Sequence, residues 1–244
     1  MRKILVLVVF IISCGNIVAQ NQLFGYGGYF CVVESNTVRW YEPDNNFNEK
    51  KSWAFNLPNG YKSVFGYGIF NIYLCVVVDN TVRFYDPNNN FNEKKSWVFN
   101  LPDEYKSVFT NAGYLCVVVD NTVKWYDIEN KFIEETSLAF NLPNGYESVF
   151  ANAGYLCVVV NNTVRWYSFS NVLYLHEKNF KEETSLAFNL PNGYKSVFGT
   201  LSYLCVAVGN DVRWYDPANN FKEETSLTFN LPNVYESVFG LVFK

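Results

Sequence analysis

The sequence lacks most of the motifs that indicate catalysis or cofactor binding. It has a single histidine, no Cys-x-x-Cys motif, no glycine-rich phosphate loop and no nucleophile elbow. One histidine cannot supply the paired axial ligands of tight haem capture. Most acidic residues are repeated loop or turn residues, whereas a glycosidase needs two carboxylates at a fixed separation in one pocket. We therefore predict a protein that is not an enzyme, with no cofactor and no metal.

Positive charge is also scarce. The chain has 19 Lys and Arg against 23 Asp and Glu, a net charge of -4 and a pI of about 5.1. A nucleic-acid binder needs a basic face that displaces counterions from phosphates, so this balance argues against a nucleic-acid partner. There is no polybasic segment that would hold the chain on an anionic membrane surface.

The N-terminus has an apolar run that is too short to span a bilayer. The run from Ile4 to Ile12 follows a basic start and falls well short of about 20 residues, so it predicts a signal peptide and a secreted or cell-surface protein. One route is a conventional cut near Ala19. The other is lipidation of Cys14, since Ile-Ile-Ser-Cys resembles a bacterial lipobox, and this would be the protein's only membrane contact. The repeats begin by about Asn21, which leaves a tether of roughly 20 Å, and this short tether favours the conventional cut.

What the chain does have is a repeat of 41 to 48 residues, marked by one cysteine in each copy. Each unit carries a Tyr-Leu-Cys-Val-Val-Val tract or a variant of it, then Thr-Val-Arg-Trp-Tyr, then Phe-Asn-Leu-Pro, and ends in Tyr-(Lys/Glu)-Ser-Val-Phe. After a signal peptide at 1–20, residues 21–244 form one domain with units at about 25–65, 66–109, 110–150, 151–198 and 199–239.

The sequence of one unit predicts four short strands. They are Tyr105–Phe109, Tyr114–Val119, Thr122–Tyr126 and Ser137–Phe140, and Asp120–Asn121 supplies the tight hairpin turn. The second strand is apolar on both faces, which predicts that it is covered on both sides.

Four antiparallel strands every 40-odd residues are typical of a propeller blade. We predict an all-β fold, a five-bladed β-propeller of four-stranded antiparallel blades closed by N- and C-terminal strands. The segments available for closure are Gln22–Gly25 and Tyr235–Gly240. An open solenoid is the alternative, although it would need polar caps at its ends.

The unit resembles the hemopexin-type repeat. The order of Tyr105–Phe109, Tyr114–Val117, Lys124–Asp127 and Leu142-Pro143 matches the order of motifs in that family. The resemblance covers the chain after the signal peptide and implies a propeller that binds a partner. Hemopexin domains have four blades, however, and this chain has five units. Five-bladed lectins of the tachylectin type are a second resemblance, by blade number and repeat length only.

A ring of charged residues is predicted on the innermost strands. The family's Asp at this place is replaced, so its channel ion sites do not carry over. The ring would either bind an ion in the channel or pair its own charges. Its members are Lys62, Lys106, Glu147, Lys195 and Glu236.

The repeated cysteines and the third-strand aromatics are predicted to be core residues. The five cysteines lie on equivalent strands of different blades, too far apart for disulfides, and act as buried thiols. The aromatic at the centre of each third strand packs between blades rather than stacking on a ligand. This series is Trp40, Phe84, Trp125, Trp166 and Trp214.

Two features are candidate binding surfaces. Trp53 and Trp97 lie on outermost strands, where three other units have Leu. The fourth unit has an apolar insertion of seven residues that includes Phe169, Tyr174 and His176. The nearby loops carry Lys-Lys in the first two units and Glu-Glu in the others, which predicts a rim more acidic on one side.

These features predict an exported binding module that recognises a glycan or a protein partner through repeated blade sites. Near-identical blades would provide near-identical sites and therefore avidity. The alternative is a structural or adhesion scaffold that uses the apolar insertion of the fourth unit.

Overall fold

The computed structural model describes residues 23–26, 29–42, 47–67, 73–152, 154–169, 180–199 and 203–232. Over these ranges the chain forms five antiparallel sheets linked by turns, loops and short 3-10 helices, with no α-helix in the described part. The sheets are the blades of a five-bladed β-propeller, which confirms the predicted fold class.

All five blades share one strand order, from the innermost strand at the propeller axis to the outermost strand at the rim. The first four strands of each blade pair in chain order, all antiparallel, and in four blades a short fifth strand pairs with the third. Blade 1 contains β1 (Leu23–Tyr26), β2 (Tyr29–Glu34), β3 (Thr37–Glu42), β4 (Asn48–Glu49) and β5 (Phe55–Asn56); blade 2 contains β6 (Tyr61–Tyr67), β7 (Tyr73–Val78), β8 (Thr81–Asp86) and β9 (Asn92–Asn100); blade 3 contains β10 (Tyr105–Asn111), β11 (Tyr114–Val119), β12 (Thr122–Asp127), β13 (Ile133–Glu134) and β14 (Phe140–Asn141); blade 4 contains β15 (Tyr146–Asn152), β16 (Tyr155–Val160), β17 (Thr163–Phe169), β18 (Phe180–Glu182) and β19 (Phe188–Asn189); blade 5 contains β20 (Tyr194–Gly199), β21 (Leu204–Val208), β22 (Asp211–Asp216), β23 (Lys222–Glu223) and β24 (Phe229–Asn230).

The predicted boundaries of the inner strands are close to those observed, but the predicted outermost strand was wrong. In blade 3, β13 and β14 both pair with β12, and a 3-10 turn separates them. Of the predicted strand Ser137–Phe140, only Phe140 is in a strand. The chain between Glu134 and Phe140 is longer than the stretch of β12 opposite it, so the excess residues form a turn closed by the Leu138 N–H and the Glu135 carbonyl. The 3-10 helices at this place are Lys51–Trp53, Thr136–Leu138, Thr184–Leu186 and Thr225–Leu227, and two others, Pro87–Asn89 and Pro217–Asn219, follow third strands.

The second strand of each blade is the centre of its core. In β11, Leu115 to Val118 are fully buried on both alternating faces, as the apolar pattern predicts. The hairpin that follows has Asp120 at φ +54°, the left-handed conformation expected of a tight two-residue turn.

Aromatic side chains fill the junctions between blades, and the same arrangement recurs at all five. A Phe from the outermost strand of one blade contacts a Tyr and a Phe of the next, with ring centroids 4.7 to 5.2 Å apart. These distances lie within the range favoured by aromatic pairs. The triplets are Phe55 with Tyr85 and Phe91, Phe99 with Tyr126 and Phe132, Phe140 with Tyr167 and Phe180, Phe188 with Tyr215 and Phe221, and Phe229 with Tyr41 and Phe47.

The last of these triplets joins blade 5 to blade 1, so the ring is closed. The N-terminal strand β1 supplies the innermost strand of blade 1, with Phe24 opposite Cys31 in the register that Phe109 and Cys116 have in blade 3. The closing strand predicted at the N-terminus is therefore observed. The C-terminal one, Tyr235–Gly240, lies outside the described residues.

Candidate functional site

The Asn and Leu of the Phe-Asn-Leu-Pro tract have a structural role within their own blade. In blade 3, the Asn141 side chain accepts a hydrogen bond from the Thr122 hydroxyl at 3.0 Å. The Leu142 N–H donates to the Asn121 carbonyl at 2.7 Å, and Leu142 is only 5% exposed. The Leu contact recurs in all five blades and the Thr–Asn contact in four. A ligand site must therefore be sought among exposed residues.

The cysteines are free and buried, which confirms their prediction as core residues. Burial raises the pKa of each thiol well above its usual value, so the sulfur stays protonated and is a poor nucleophile. The thiols are those of Cys31, Cys75, Cys116, Cys157 and Cys205.

The third-strand aromatics are core residues as well. They are at most 1% exposed. Each contacts a Phe ring of the next blade, with ring centroids 5.6 to 6.1 Å apart, which confirms that these aromatics pack between blades.

Trp53 and Trp97 are half-buried at the rim, and each already has a cationic neighbour. The ammonium group of Lys50 lies 3.9 Å from the centroid of the Trp53 ring, and that of Lys94 lies 3.5 Å from the Trp97 ring. The ammonium of Lys94 also donates to the Tyr73 hydroxyl at 3.0 Å. Because these cation–π contacts cover part of each indole, the two Trp residues have a structural role whether or not they also bind a ligand.

In blades 3 to 5, both the Lys and the Trp of this contact are replaced. Glu stands where blades 1 and 2 have Lys50 and Lys94, and Leu stands where they have Trp. Two of these glutamates bond a serine two residues on: Glu135 accepts from the Ser137 hydroxyl at 2.6 Å, and Glu224 accepts from that of Ser226 at 2.7 Å. The rim therefore has two local arrangements, a Lys that lies over a Trp ring and a Glu that accepts a hydrogen bond from a Ser.

The predicted charged ring lies on the innermost strands, and three of its members contact groups of the turns and strands around them. Lys62 and Lys106 donate to the side chains of Asn80 and Asn121, each in the hairpin turn of its own blade. Glu147 accepts from the Asn162 backbone N–H at 3.2 Å and from the Tyr194 hydroxyl at 2.7 Å. Among the four ring members that are described, the fourth being Lys195, no two form an ion pair. An ion site in the channel stays a prediction, and Glu236 lies outside the described residues.

A repeated polar cluster at the rim was missed by the sequence analysis. The third strand of each blade carries Arg or Lys two residues before the junction Tyr, and the outermost strand carries a Glu near both. In blade 1, Arg39 Nη1 lies 2.9 Å from Glu49 Oε1. The equivalent separations are 3.6 Å for Lys124 and Glu134 and 4.0 Å for Arg165 and Glu182. Blades 2 and 5 have the same residue types, in Arg83 with Glu93 and Arg213 with Glu223.

The basic side chains of these clusters share one degree of exposure, 38 or 39% in blades 1, 3 and 4. Each adjoining Tyr packs on the Phe of the preceding blade, so the cluster lies where two blades meet. Burial, and after it a neighbouring Glu carboxylate, raises the pKa of Tyr41 and that of Tyr126 to about 12. These hydroxyls are therefore protonated hydrogen-bond donors at neutral pH. The signal in the sequence was the fivefold recurrence of Arg/Lys and Glu at fixed places in polar, exposed positions.

The insertion of the fourth unit falls between two paired strands. β17 and β18 form three residue pairs, one more than β12 and β13 form in blade 3. The additional pair is Phe169 with Phe180. Phe180 takes the junction position that Phe132 and Phe221 have in other blades. Only the backbone of Phe169 is described. Tyr174, His176 and the candidate lipidation residue Cys14 lie outside the described residues.

No protein family model matches the chain, and no curated protein does. Solved structures similar to it include Hsv2 of Kluyveromyces lactis, at 9% identity and a TM-score of 0.47, covering 81% of this chain and 59% of that one. PorZ of Porphyromonas gingivalis has 11% identity and a TM-score of 0.45, covering 86% of this chain and 25% of that one. The N-terminal domain of Nup159 has 10% identity and a TM-score of 0.38, covering 97% and 66%.

This chain thus spans about 60% of the Hsv2 structure, and likenesses at this level carry no argument about function. Two other findings concern the described residues alone. None of their helices has the length and hydropathy needed to cross a membrane. Nor do three His, Cys, Asp or Glu side chains come together there in a group suited to a metal ion.

Proposed function

We propose that this protein is an exported, non-enzymatic binding module that recognises a glycan through the rim clusters of its five blades. The observation that carries the proposal is the recurrence of one half-exposed cluster at successive junctions. A guanidinium or ammonium, a carboxylate and a tyrosine hydroxyl meet there beside an aromatic ring. The rest of the repeat is explained by the fold.

The chemistry of the cluster suits a polyhydroxylated ligand. Arg offers several donors in a fixed plane, and Glu offers two acceptor oxygens, so neighbouring hydroxyl groups can donate and accept at the same place. A single weak site would bind poorly, whereas five copies on one rim can engage a branched or polymeric ligand with avidity. The likeness to hemopexin-type repeats, which are also binding propellers, agrees with this proposal.

Export is part of the proposal, because a glycan-binding protein of this kind needs access to surface or extracellular sugars. The apolar run at Ile4–Ile12 supports a signal peptide. Intact mass of the exported protein distinguishes the two routes: cleavage near Ala19 gives an unmodified N-terminus, and the lipoprotein route gives a diacyl or triacyl Cys14.

The test is a glycan-array screen of residues 21–244 with a matched variant. We expect saturable binding to one sugar family, and weaker binding by Arg39→Gln combined with Arg165→Gln. Lys131→Gln combined with Lys222→Gln removes the same charge at exposed positions outside the clusters and should bind as the unchanged protein does. A blank array from protein with an intact β circular-dichroism spectrum would refute glycan recognition.

The second candidate is a scaffold that binds a protein through the fourth-unit insertion. Its support is the position of the insertion, which lies between the paired residues Phe169 and Phe180. Phe180 itself packs in the junction of blades 3 and 4. Deleting Ser170–His176 should therefore leave the propeller folded. A glycan-binding module keeps sugar binding after this deletion, and a scaffold of this kind loses its partner.

A further inference from the structure

The rim of blades 1 and 2 differs from that of the other three blades in charge. The outermost segments of blades 1 and 2 read Glu-Lys-Lys-Ser-Trp, and those of blades 3 to 5 read Glu-Glu-Thr-Ser-Leu. Each of the first two segments therefore has two lysines and one glutamate, and each of the other three has two adjacent glutamates.

The lysines of blades 1 and 2 lie on the rims of two neighbouring blades. The two blades are neighbours, joined by the contact of Phe55 with Tyr85 at 5.0 Å. Lys51 and Lys95 are exposed, and Lys50 and Lys94 are held over the Trp rings. We call these four lysines, together with Trp53 and Trp97, the basic sector.

The basic sector combines fixed ammonium groups with half-exposed aromatic rings. The cation–π contacts hold Lys50 and Lys94 against Trp53 and Trp97, which reduces the rotamer entropy that these lysines would lose on binding an anion. The ammonium over each ring presents a charge to an anionic substituent, and the part of the indole that it leaves uncovered is an apolar surface.

We propose that the basic sector binds an anionic polysaccharide, one that carries sulfate or carboxylate groups. This proposal rests on the proposed function and specifies its ligand. A linear polyanion can contact lysines on both blades at once, whereas the Glu-Glu segments of blades 3 to 5 repel it. The attraction acts between exposed charges on a protein of net charge -4, so it is local and weakens as salt rises.

Binding of dextran sulfate and of alginate to residues 21–244, measured by biolayer interferometry, tests the proposal. Uncharged dextran and polyglutamate serve as comparison ligands. We expect dextran sulfate, alginate or both to bind more tightly than dextran and polyglutamate, with an affinity that falls between low and physiological salt. The sulfate and carboxylate arms identify which anion is preferred.

The critical variant is Lys51→Thr with Lys95→Thr, because Thr is the residue that blades 3 to 5 have at this place. We expect about a fivefold loss of affinity, which corresponds to roughly 0.5 kcal/mol from each of two exposed charge contacts. Lys181→Thr with Lys222→Thr is the matched control. It removes the same charge from outermost strands of blades 4 and 5 and should change the affinity by less than about twofold.

A gain-of-binding variant tests whether the lysines and Trp bind the polysaccharide directly. Glu224→Lys, Thr225→Lys and Leu227→Trp give blade 5, which is the other neighbour of blade 1, the sequence of the basic sector. Affinity for the anionic polysaccharide should rise.

Four outcomes would overturn the proposal. Equal losses in the two double variants would indicate a net-charge effect, and equal affinity for polyglutamate would indicate binding of any polyanion. Array binding to neutral sugars without preference for anionic ones would refute the basic sector and leave the proposed function standing. If folded protein binds neither class of sugar, both proposals fail.

Discussion

The junctions between blades and the rim of the propeller follow different rules. At the junctions, the same aromatic residues recur with centroid distances that agree within 0.5 Å around the whole ring, from 4.7 Å to 5.2 Å. At the rim, the backbone plan recurs, but blades 1 and 2 have Lys and Trp where blades 3 to 5 have Glu and Leu. A close-packed junction tolerates little change in volume, whereas a side chain in water can change its charge at small cost. Differences between blades are therefore concentrated where a ligand can reach them.

The strongest test of this comparison is removal of a junction ring at the point of closure. Trp214 is fully buried and contacts Phe47 across the junction of blades 5 and 1. Trp214→Ala should lower the free energy of unfolding by about 3–5 kcal/mol, measured by chemical denaturation. Trp125→Ala, at the junction of blades 3 and 4, is the internal control. Equal losses are expected, and a negligible loss at Trp214 alone would contradict a closed ring.

A glycine at the propeller axis provides the next test. A Cβ at Gly199 would lie 2.2 Å from the Asn152 Cβ and 2.7 Å from the Ala151 carbonyl oxygen, because the innermost strands of blades 4 and 5 approach closely there. Gly199→Ala should cost about 1–3 kcal/mol of stability. Adding Asn152→Gly removes the side-chain part of the clash, so partial recovery is expected in thermal denaturation. A fully stable single variant would contradict this close approach.

Alkaline pH should weaken the packing of the junction tyrosines. Burial raises the pKa of Tyr41 and of Tyr126 from near 10 to about 12, so the folded state favours the neutral phenol. Their contribution to stability is complete below pH 10 and is lost as pH rises towards 12. Denaturation at a series of pH values should show this fall. Tyr41→Phe with Tyr126→Phe should make it shallower, and an unchanged profile would show that these two phenols do not contribute.

The smallest expected effect is at the rim. Lys94→Met removes the ammonium group from above Trp97 and should cost about 0.5–1 kcal/mol. The neighbouring Lys95→Met, at an exposed position, should change stability by less than about 0.5 kcal/mol. Thermal melts of the two variants side by side give the measurement. A larger loss for Lys95 would mean that the assignment of the cation–π contact to Lys94 is mistaken.

Sequence reasoning succeeded where the periodicity of one strand carried the information. The Leu-Cys-Val-Val run predicted burial on both faces, and the Asp120–Asn121 turn predicted a tight hairpin. It failed at the outermost strand, because a 3-10 turn forms where one chain is longer than its partner, and that mismatch is visible only after the strands are paired.

The candidate site was harder to predict than the fold. Trp53 and Trp97 were identified by their exception to the Leu pattern, but their lysine partners were not, since a cation–π contact depends on where two side chains lie. The Arg–Glu clusters recur in the sequence, yet Arg39 and Glu49 are ten residues apart, and only strand pairing brings them together.

The sequence by itself determined the number of blades, the order of strands within each blade and the burial of the thiols, because these follow from repeat length and local apolar patterns. The tertiary structure alone decided which rings meet across each junction, which lysines lie over tryptophans, and that blade 5 packs on blade 1. Those features depend on residues far apart in the chain, and their contacts exist only when the five sheets are arranged around one axis.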